Sequence, residues 1–292
     1  MDANATRHRS RGQGIGLRIR RTLSRAIIHL LVIVSAILIG LPFLQMITTS
    51  FKPLNEVYRA PMTLFPENWH WQNYVEAWTL VPFGRFTVNS LIYTVTLTVG
   101  ELILGTMAGY AFGRLRFPHK DRIFFLVLLT FMIPGQITLI PRFILLSQFG
   151  WVDTYQGLIV PVLSSSFATF LLRQYFRSLP DEIFDSARID GAGHIRQLVQ
   201  IAVPMSKPIL STLLLLAGVA HWNAYQWPLI VTNSEKMRTL PVGLQRLKTV
   251  IDLDHWGLIM AGAVMVVLPL LILFFFAQKQ FIEGATRGAL KG

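Results

Sequence analysis

Cysteine is absent from this chain of 292 residues, which excludes disulfides, thiolate metal sites and cysteine nucleophiles. No GxxxxGKS/T run occurs, so the chain cannot hold ATP on a P-loop, and no HExxH pair offers a zinc site. The seven histidines are scattered, and no nucleophile–base constellation emerges, so nothing points to an enzyme. Acids are the scarcer sign, 15 against 27 Lys and Arg, and all charged residues together make up only 14% of the chain. A basic excess of +12 can mean nucleic acid, but here the Lys and Arg sit in clusters between apolar runs, the pattern of cytoplasmic loops. No internal repeat is visible, which counts against the inverted-repeat secondary carriers.

What the chain has in quantity is apolar length. Hydrophobic residues make up 52% and the mean hydropathy is +0.49, which predicts an all-α polytopic membrane protein. Residues 1–25 form a basic tail with seven arginines, expected to be disordered against anionic headgroups. The apolar run within 26–49 is too long for a signal h-region and lacks a small-x-small cleavage site, so it reads as a first transmembrane helix. An outer segment, 50–85, carries Trp69, Trp71 and Trp78, which suit the membrane–water interface. The core domain, 86–277, then holds five further spans. The second covers 86–113, and the third starts at 123 and is interrupted at Pro134-Gly135 and again at Pro141-Arg142. The fourth, 156–176, offers Ser164-Ser165-Ser166 and Ala168-Thr169 for close helix packing. The last two are 209–231 and 258–277, and a basic tail, 278–292, follows.

Six spans put both termini on one side. With the N-terminus inside, the cytoplasmic segments hold 19 Lys and Arg and the outer ones 7, with Arg142 left to snorkel near the outer end of the third span. This asymmetry predicts that both termini, and the loop 179–208, are cytoplasmic.

That loop is not a plain connector. Pro180 fits just before a first helical turn, and Asp181 and Glu182 follow where the helix dipole favours negative charge. Ile183, Phe184 and Ala187 fall on one face, with Asp185 and Arg188 beside them. Gly191 is a good C-terminal stop, and a second helical stretch, about 193–202, is expected to end ahead of Pro204 and Pro208. Periodicity alone also allows an interfacial amphipathic helix with no partner.

The residues themselves are more specific. Asp185-Ser186-Ala187, then Gly191, then Ile201-Ala202-Val203-Pro204 resemble the cytoplasmic "EAA" loop of binding-protein-dependent ABC importers. The flanking Arg188-Ile189-Asp190-Gly191-Ala192 resembles their carbohydrate-uptake branch. Asp185 stands for Glu, Ser186 for the first Ala and Val203 for Leu, changes that keep size and polarity close. Asn89-Ser90, Ala108-Gly109-Tyr110-Ala111-Phe112-Gly113-Arg114, Met132-Ile133-Pro134, Trp222-Asn223, Leu240-Pro241-Val242-Gly243-Leu244 and the terminal Gly288-Ala289-Leu290-Lys291-Gly292 extend the likeness from residue 51 to the end. It looks most like the second, shorter permease of maltose-type importers.

The resemblance implies a type I importer permease fold in a bacterial inner membrane. It also implies a second permease, an ATPase dimer that holds ATP and Mg, an outer solute-binding protein, and no cofactor in this chain. The loop would be the coupling helix, with Ile183 and Phe184 entering a groove of the ATPase, Ala187 allowing close approach and Asp185 bonding across the interface. Phosphate, polyamine or oxyanion importers share the shorter loop signature, and an ion-coupled carrier without an ATPase is the more distant alternative. Outer Lys and Arg number seven, as do the outer acids, so charge does not choose the solute.

Ionisable groups inside spans are costly and count as functional candidates. Glu101 lies about fifteen residues into the second span and His221 about thirteen into the fifth, which puts both near the bilayer midplane at about 1.5 Å per residue. Trp222, Asn223 and Gln226 continue a polar stripe beyond His221. The stripe either lines the translocation cavity or is a structural cluster between helices or against the partner permease.

Overall fold

The computed structural model describes residues 3–61, 63–251 and 254–289, and every regular element among them is helical. The first helix, α1 (Ala3–Thr49), runs through the tail expected to be disordered. No proline precedes Pro42, so no proline ring interrupts the helix before the membrane segment. Two short helices, α2 (Leu54–Val57) and α3 (Gln72–Leu80), organise residues 50–85. The buried Glu56 carboxylate accepts the Glu67 amide at 2.8 Å, and the Asn73 amide donates to the Ser50 and Lys52 carbonyls. Trp69, Trp71 and Trp78 all remain exposed, as interface anchors would be.

The longest internal element is α4 (Phe83–Arg114), 32 residues without a proline. At 1.5 Å per residue it spans about 48 Å, more than the roughly 30 Å of a bilayer core. After it come α5 (Lys120–Met132) and α6 (Gly135–Gln148), bent 96° apart at Ile133-Pro134. The expected second interruption is missing, because Pro141 sits inside α6 without ending it. Within a membrane protein, neighbouring groups tolerate the one freed carbonyl. The fourth apolar segment divides into α7 (Tyr155–Ile159), a 3₁₀ turn and α8 (Ser166–Arg177), with a 42° bend between them. Ser165, expected as a packing residue, instead caps α8 by accepting the Ala168 amide at 3.1 Å.

The loop that follows contains α9 (Asp181–Ile189), α10 (His194–Gln197), a π turn over Leu198–Ala202 and α11 (Val203–Met205). After an 80° bend, α12 (Lys207–Trp222) begins. The expected span 209–231 is broken, since α12 stops at Trp222 and α13 (Gln226–Val231) restarts beyond an unwound Asn223-Ala224-Tyr225. The chain ends with α14 (Leu240–Val250) and α15 (Trp256–Ala289). Leu290, Lys291 and Gly292 of the terminal motif lie outside the described residues.

Three helices are long and apolar enough to cross a membrane, within α1, α4 and α15, and three bent pairs qualify jointly. Six crossings follow if each bent pair makes one. Three buried clusters succeed one another along α4: Phe83 and Phe86 with Trp222 and Leu247, then Tyr93 and Leu97 with Trp227, then Tyr110 with Leu172, Phe176 and Phe184. Close approach of α8 fixes the third. A Cβ at Gly109 would lie 2.8 Å from the Leu172 Cβ and 3.0 Å from the Arg173 amide nitrogen, so only glycine lets these two backbones meet.

Candidate coupling loop and transport pathway

α9 forms for local reasons. Pro180 occupies its N-cap, Asp181 and Glu182 fill the first turn and Arg188 the last, all favourable to the helix dipole. It ends in a Schellman motif. Gly191 takes φ +77°, its amide bonds to the Arg188 carbonyl, and the Ala192 amide reaches back to the Ala187 carbonyl at 2.8 Å.

The helix has two different faces. Phe184, 1% exposed, and Ala187 point into the chain's own core, while Ile183 and Ser186 point away. Phe184 packs on Tyr110, and the Arg114 guanidinium lies 4.3 Å from its ring centroid. Arg114 also donates to the Asp181 carboxylate and the Leu179 carbonyl. Phe184 therefore cannot enter a groove of another subunit, contrary to expectation. An aromatic side chain fills the space beside Tyr110 and Phe176 that α9 would otherwise leave empty. Asp185 is held by Arg188 at 2.7 Å, an exposed pair one turn apart that contributes little by itself.

Two features were not visible in the sequence. Gln197 is 1% exposed, accepts the Tyr110 hydroxyl at 3.3 Å and donates to the Ala192 carbonyl at 2.7 Å, tying the glycine bend to α4. No sequence pattern links Gln197 to Tyr110, which stand 87 positions apart. Ile189 and Ile195 are 88% and 80% exposed, and Val199 follows Ile195 by one exposed turn. Nor does the second stretch stop before Pro204. The wider π turn carries the backbone into α11, which has Pro204 in its first turn, so the helical path continues past the proline. The Tyr175 hydroxyl then bonds to the Met205 carbonyl at 2.9 Å.

Of the expected pathway residues, two come together. The His221 Nε2 stands 2.9 Å from a Glu101 carboxylate oxygen, joining α12 to α4 with both side chains largely buried. Trp222 does not line a pathway. Rotated by one residue from His221, it is buried with Phe83 and Phe86, and its indole N–H donates to the Val266 carbonyl at 3.1 Å. Asn223 closes α12 by donating to the Val219 carbonyl, and Gln226 opens α13; both are exposed, but the break between the helices separates them from a single stripe. Arg142, expected to reach outer headgroups, instead lies over the Trp227 ring at 5.2 Å and donates to the Thr138 hydroxyl.

The end of α4 far from α9 is pinned as firmly as the end beside it. Asn89 donates to the Lys236 and Arg238 carbonyls at 2.9 and 2.8 Å, and the Ser90 hydroxyl accepts the Leu240 amide. The same loop is held from the other side by Asp153, which accepts the Asn233 and Ser234 amides at 2.9 and 3.0 Å. Partial burial disfavours the Asp153 charge, but the bonds from Ser234 and Asn233 and the nearby Arg238 outweigh it and hold its carboxyl below the usual value. The stabilisation is thus present above the unfolded value of about 3.9 and is lost as pH falls through the lower folded one. The protection of the Asn233 and Ser234 amides, taken as exchange relative to the intrinsic rate at each pH, is expected to fall in that acid range, and to be low already at pH 7 in Asp153→Ala. Equal protection in both proteins at pH 7 would remove Asp153 from this role.

Comparison with known proteins places this geometry. Residues 101–284 match the family described as the binding-protein-dependent transport system inner membrane component. The chain is 32% identical over 263 residues to the sn-glycerol-3-phosphate transport system permease protein UgpE of Yersinia pestis bv. Antiqua (strain Antiqua), covering 88% of this chain and 94% of that one. It is also 32% identical over 273 residues to UgpE of Brucella abortus (strain 2308), covering 91% and 97%. A bacterial ABC transporter involved in the import of the acidic polysaccharide alginate contains a chain of the same fold, with a TM-score of 0.79 at 24% identity over 87% of this chain and 95% of that one. A loop helix docked by one face on the long α4, and a match across most of the chain, lead to one assignment: this chain belongs to the inner membrane permease components of binding-protein-dependent transport systems.

Proposed function

We propose that the chain is one permease of an ATP-driven importer that brings a carbohydrate or sugar derivative into the bacterial cytoplasm. It works with a second permease, two ATPase subunits that hold ATP and Mg, and an outer solute-binding protein. The positive-inside asymmetry supports cytoplasmic termini and a cytoplasmic α9. Relatives named for sn-glycerol-3-phosphate, a polyol phosphate, and a structural neighbour for an acidic polysaccharide support the class of carbohydrates and their derivatives and draw attention to its anionic members.

The observation that carries the reading is the two-sided α9. Its inner face is locked to α4 through Phe184 and Arg114, Gln197 of α10 ties the bend that follows to α4, and the outer face of α9 presents polar and aliphatic groups to a partner. When the ATPases close, α9 moves with them, and α4 moves because it is fixed to α9. The same rigid helix carries Glu101 to His221 and Asn89 to the outer loop, about 37 Å from Arg114 along the helix axis. One element thus links motor, membrane interior and outer surface, the connection that alternating access requires.

The test is ATPase activity of the assembled transporter with its binding protein, across glycerol phosphate, alginate fragments, neutral oligosaccharides, phosphate and polyamines. Stimulation by one carbohydrate class is expected. A response confined to phosphate or a polyamine would overturn the carbohydrate reading, and an active chain with no ATPase bound would overturn the importer. Gly191 supplies the control. A Cβ there meets open space, so any substitution acts through the backbone alone. Gly191→Asn, which tolerates positive φ, is expected to keep coupled uptake. Gly191→Pro cannot reach +77° and removes the bond to Arg188, so stimulation is expected to disappear while the chain still inserts. Equal activity of the two variants would show that the bend does not matter.

A further inference from the structure

The turn between α4 and α5 has no role in the coupling reading, yet it gathers Arg116, His119, Lys120 and Arg122 within seven residues. Arg116, His119, Lys120 and Arg122 surround a hollow of about 340 Å³, floored by Phe117, which packs on Phe112 at 5.8 Å. The one acid there, Asp121, is turned to account elsewhere: Arg173 of α8 binds its carboxylate at 2.9 Å. The hollow therefore keeps a net positive field. His119 adopts φ +59° and gives no side-chain cap, so the amides of Lys120, Asp121 and Arg122 precede the first intrahelical bond, from Ile123 to the His119 carbonyl. Lys120 is tethered to the Leu115 carbonyl at 3.1 Å, which holds its stem at the rim, while Arg116 and Arg122 are exposed. Continuing along α5, Ile123, Phe125 and Leu126 present an exposed apolar surface.

A cationic pocket with free amides, set above a lipid-facing apolar surface, matches one kind of molecule: a phosphodiester headgroup with its acyl chains below. We infer that this turn is a binding site for an anionic phospholipid of the leaflet that faces the coupling loop. The phosphate sits among Arg116, Lys120, Arg122 and the first-turn amides, and the acyl chains lie along Ile123 and Leu126. Neutral phospholipids carry the phosphate but compensate it with an ammonium, which the surrounding guanidinium groups repel. The site also bears on the transport elements, because Asp121 and Phe124 hold Arg173, whose guanidinium lies 3.9 Å from the Phe124 ring centroid and whose Nε donates to the Phe112 carbonyl of α4.

The test is native mass spectrometry of the full chain, stripped of lipid in detergent and offered equal amounts of phosphatidylglycerol and phosphatidylcholine with the same acyl chains. Wild type is expected to retain one phosphatidylglycerol preferentially. The exposed pair Arg116→Gln and Arg122→Gln is expected to lose about twenty-five-fold in that retention, since each basic side chain near an anionic surface contributes roughly a factor of five. Arg246→Gln, on the outer side and also exposed, should leave it unchanged. Equal retention of the two lipids, or equal retention by the double variant, would overturn the proposal. Displacement of the lipid by millimolar inorganic phosphate would reassign the hollow to a soluble anion. Undiminished lipid retention with loss of a copurifying ATPase would make the cluster a protein contact instead.

Discussion

On the proposed coupling role of α9, truncating Phe184 to alanine is expected to leave the chain in the membrane and the ATPase bound, while uptake falls by about a hundredfold or more. Removing a fully buried phenylalanine costs about 3–5 kcal/mol, and the cost here falls on one event, the docking of α9 against Tyr110 and Phe176. At about 1.4 kcal/mol per tenfold, even the lower figure shifts that docking equilibrium by two orders of magnitude. An undocked α9 still offers Ile189 and Ile195 to a partner but no longer moves α4. Basal ATP hydrolysis should therefore persist and lose its response to the loaded binding protein.

Arg114→Met gives the companion experiment. The guanidinium bridges Phe184, Asp181 and the Leu179 carbonyl, and its side chain is only 7% exposed. The two substitutions share one contact, so the double variant is expected to cost less than the sum of the singles. Strict additivity would separate Arg114 from the docking of Phe184. If Phe184→Ala instead released the ATPase in proportion to the lost uptake, the ring would belong to the subunit interface after all.

What the sequence made legible about this loop is what acts within a helical turn. Pro180, the acidic first turn and Gly191 each determine backbone geometry locally, and α9 begins and ends where they indicate. Which face of α9 turns inward is a different matter. Both faces carry large apolar groups, Phe184 on one and Ile189 on the other, so periodicity identifies a helix without saying what covers each side. The partners that decide it, Tyr110 and Arg114, are about seventy positions away. Glu101 and His221 illustrate the same limit across 120 positions. Each was recognisable alone as a costly group in a span, and only the fold pairs them. Trp222 departs from the expected stripe for a simpler reason. Adjacent helical residues point about 100° apart, so a neighbour of His221 belongs to another surface, and the tryptophan faces α15. The breaks at Asn223 and in the π turn also escape a reading by span length, because both preserve apolar character while changing direction.

Gly109→Leu is the second variant with a large expected effect, and it addresses the frame that α4 provides. The side chain would begin 2.8 Å from the Leu172 Cβ and 3.0 Å from the Arg173 backbone nitrogen, so no rotamer change can make room. The helices must separate, which costs on the order of 3 kcal/mol or more and opens the cluster formed by Tyr110, Leu172 and Phe176. Because α8 runs through only three residues into α9, its displacement also removes the surface on which Phe184 docks. Thermal unfolding of the chain in detergent should fall sharply, or the variant should fail to accumulate in the membrane. Gly40→Leu is the matched control, since a Cβ on α1 at that position meets nothing within 4 Å. Leu172→Ala should not rescue Gly109→Leu, because the obstructing atoms are a Cβ that alanine retains and a backbone nitrogen. Full stability of Gly109→Leu, or its rescue by Leu172→Ala, would mean that α4 and α8 are not held at backbone contact, and with that the route from the coupling loop to the membrane interior would have to run elsewhere.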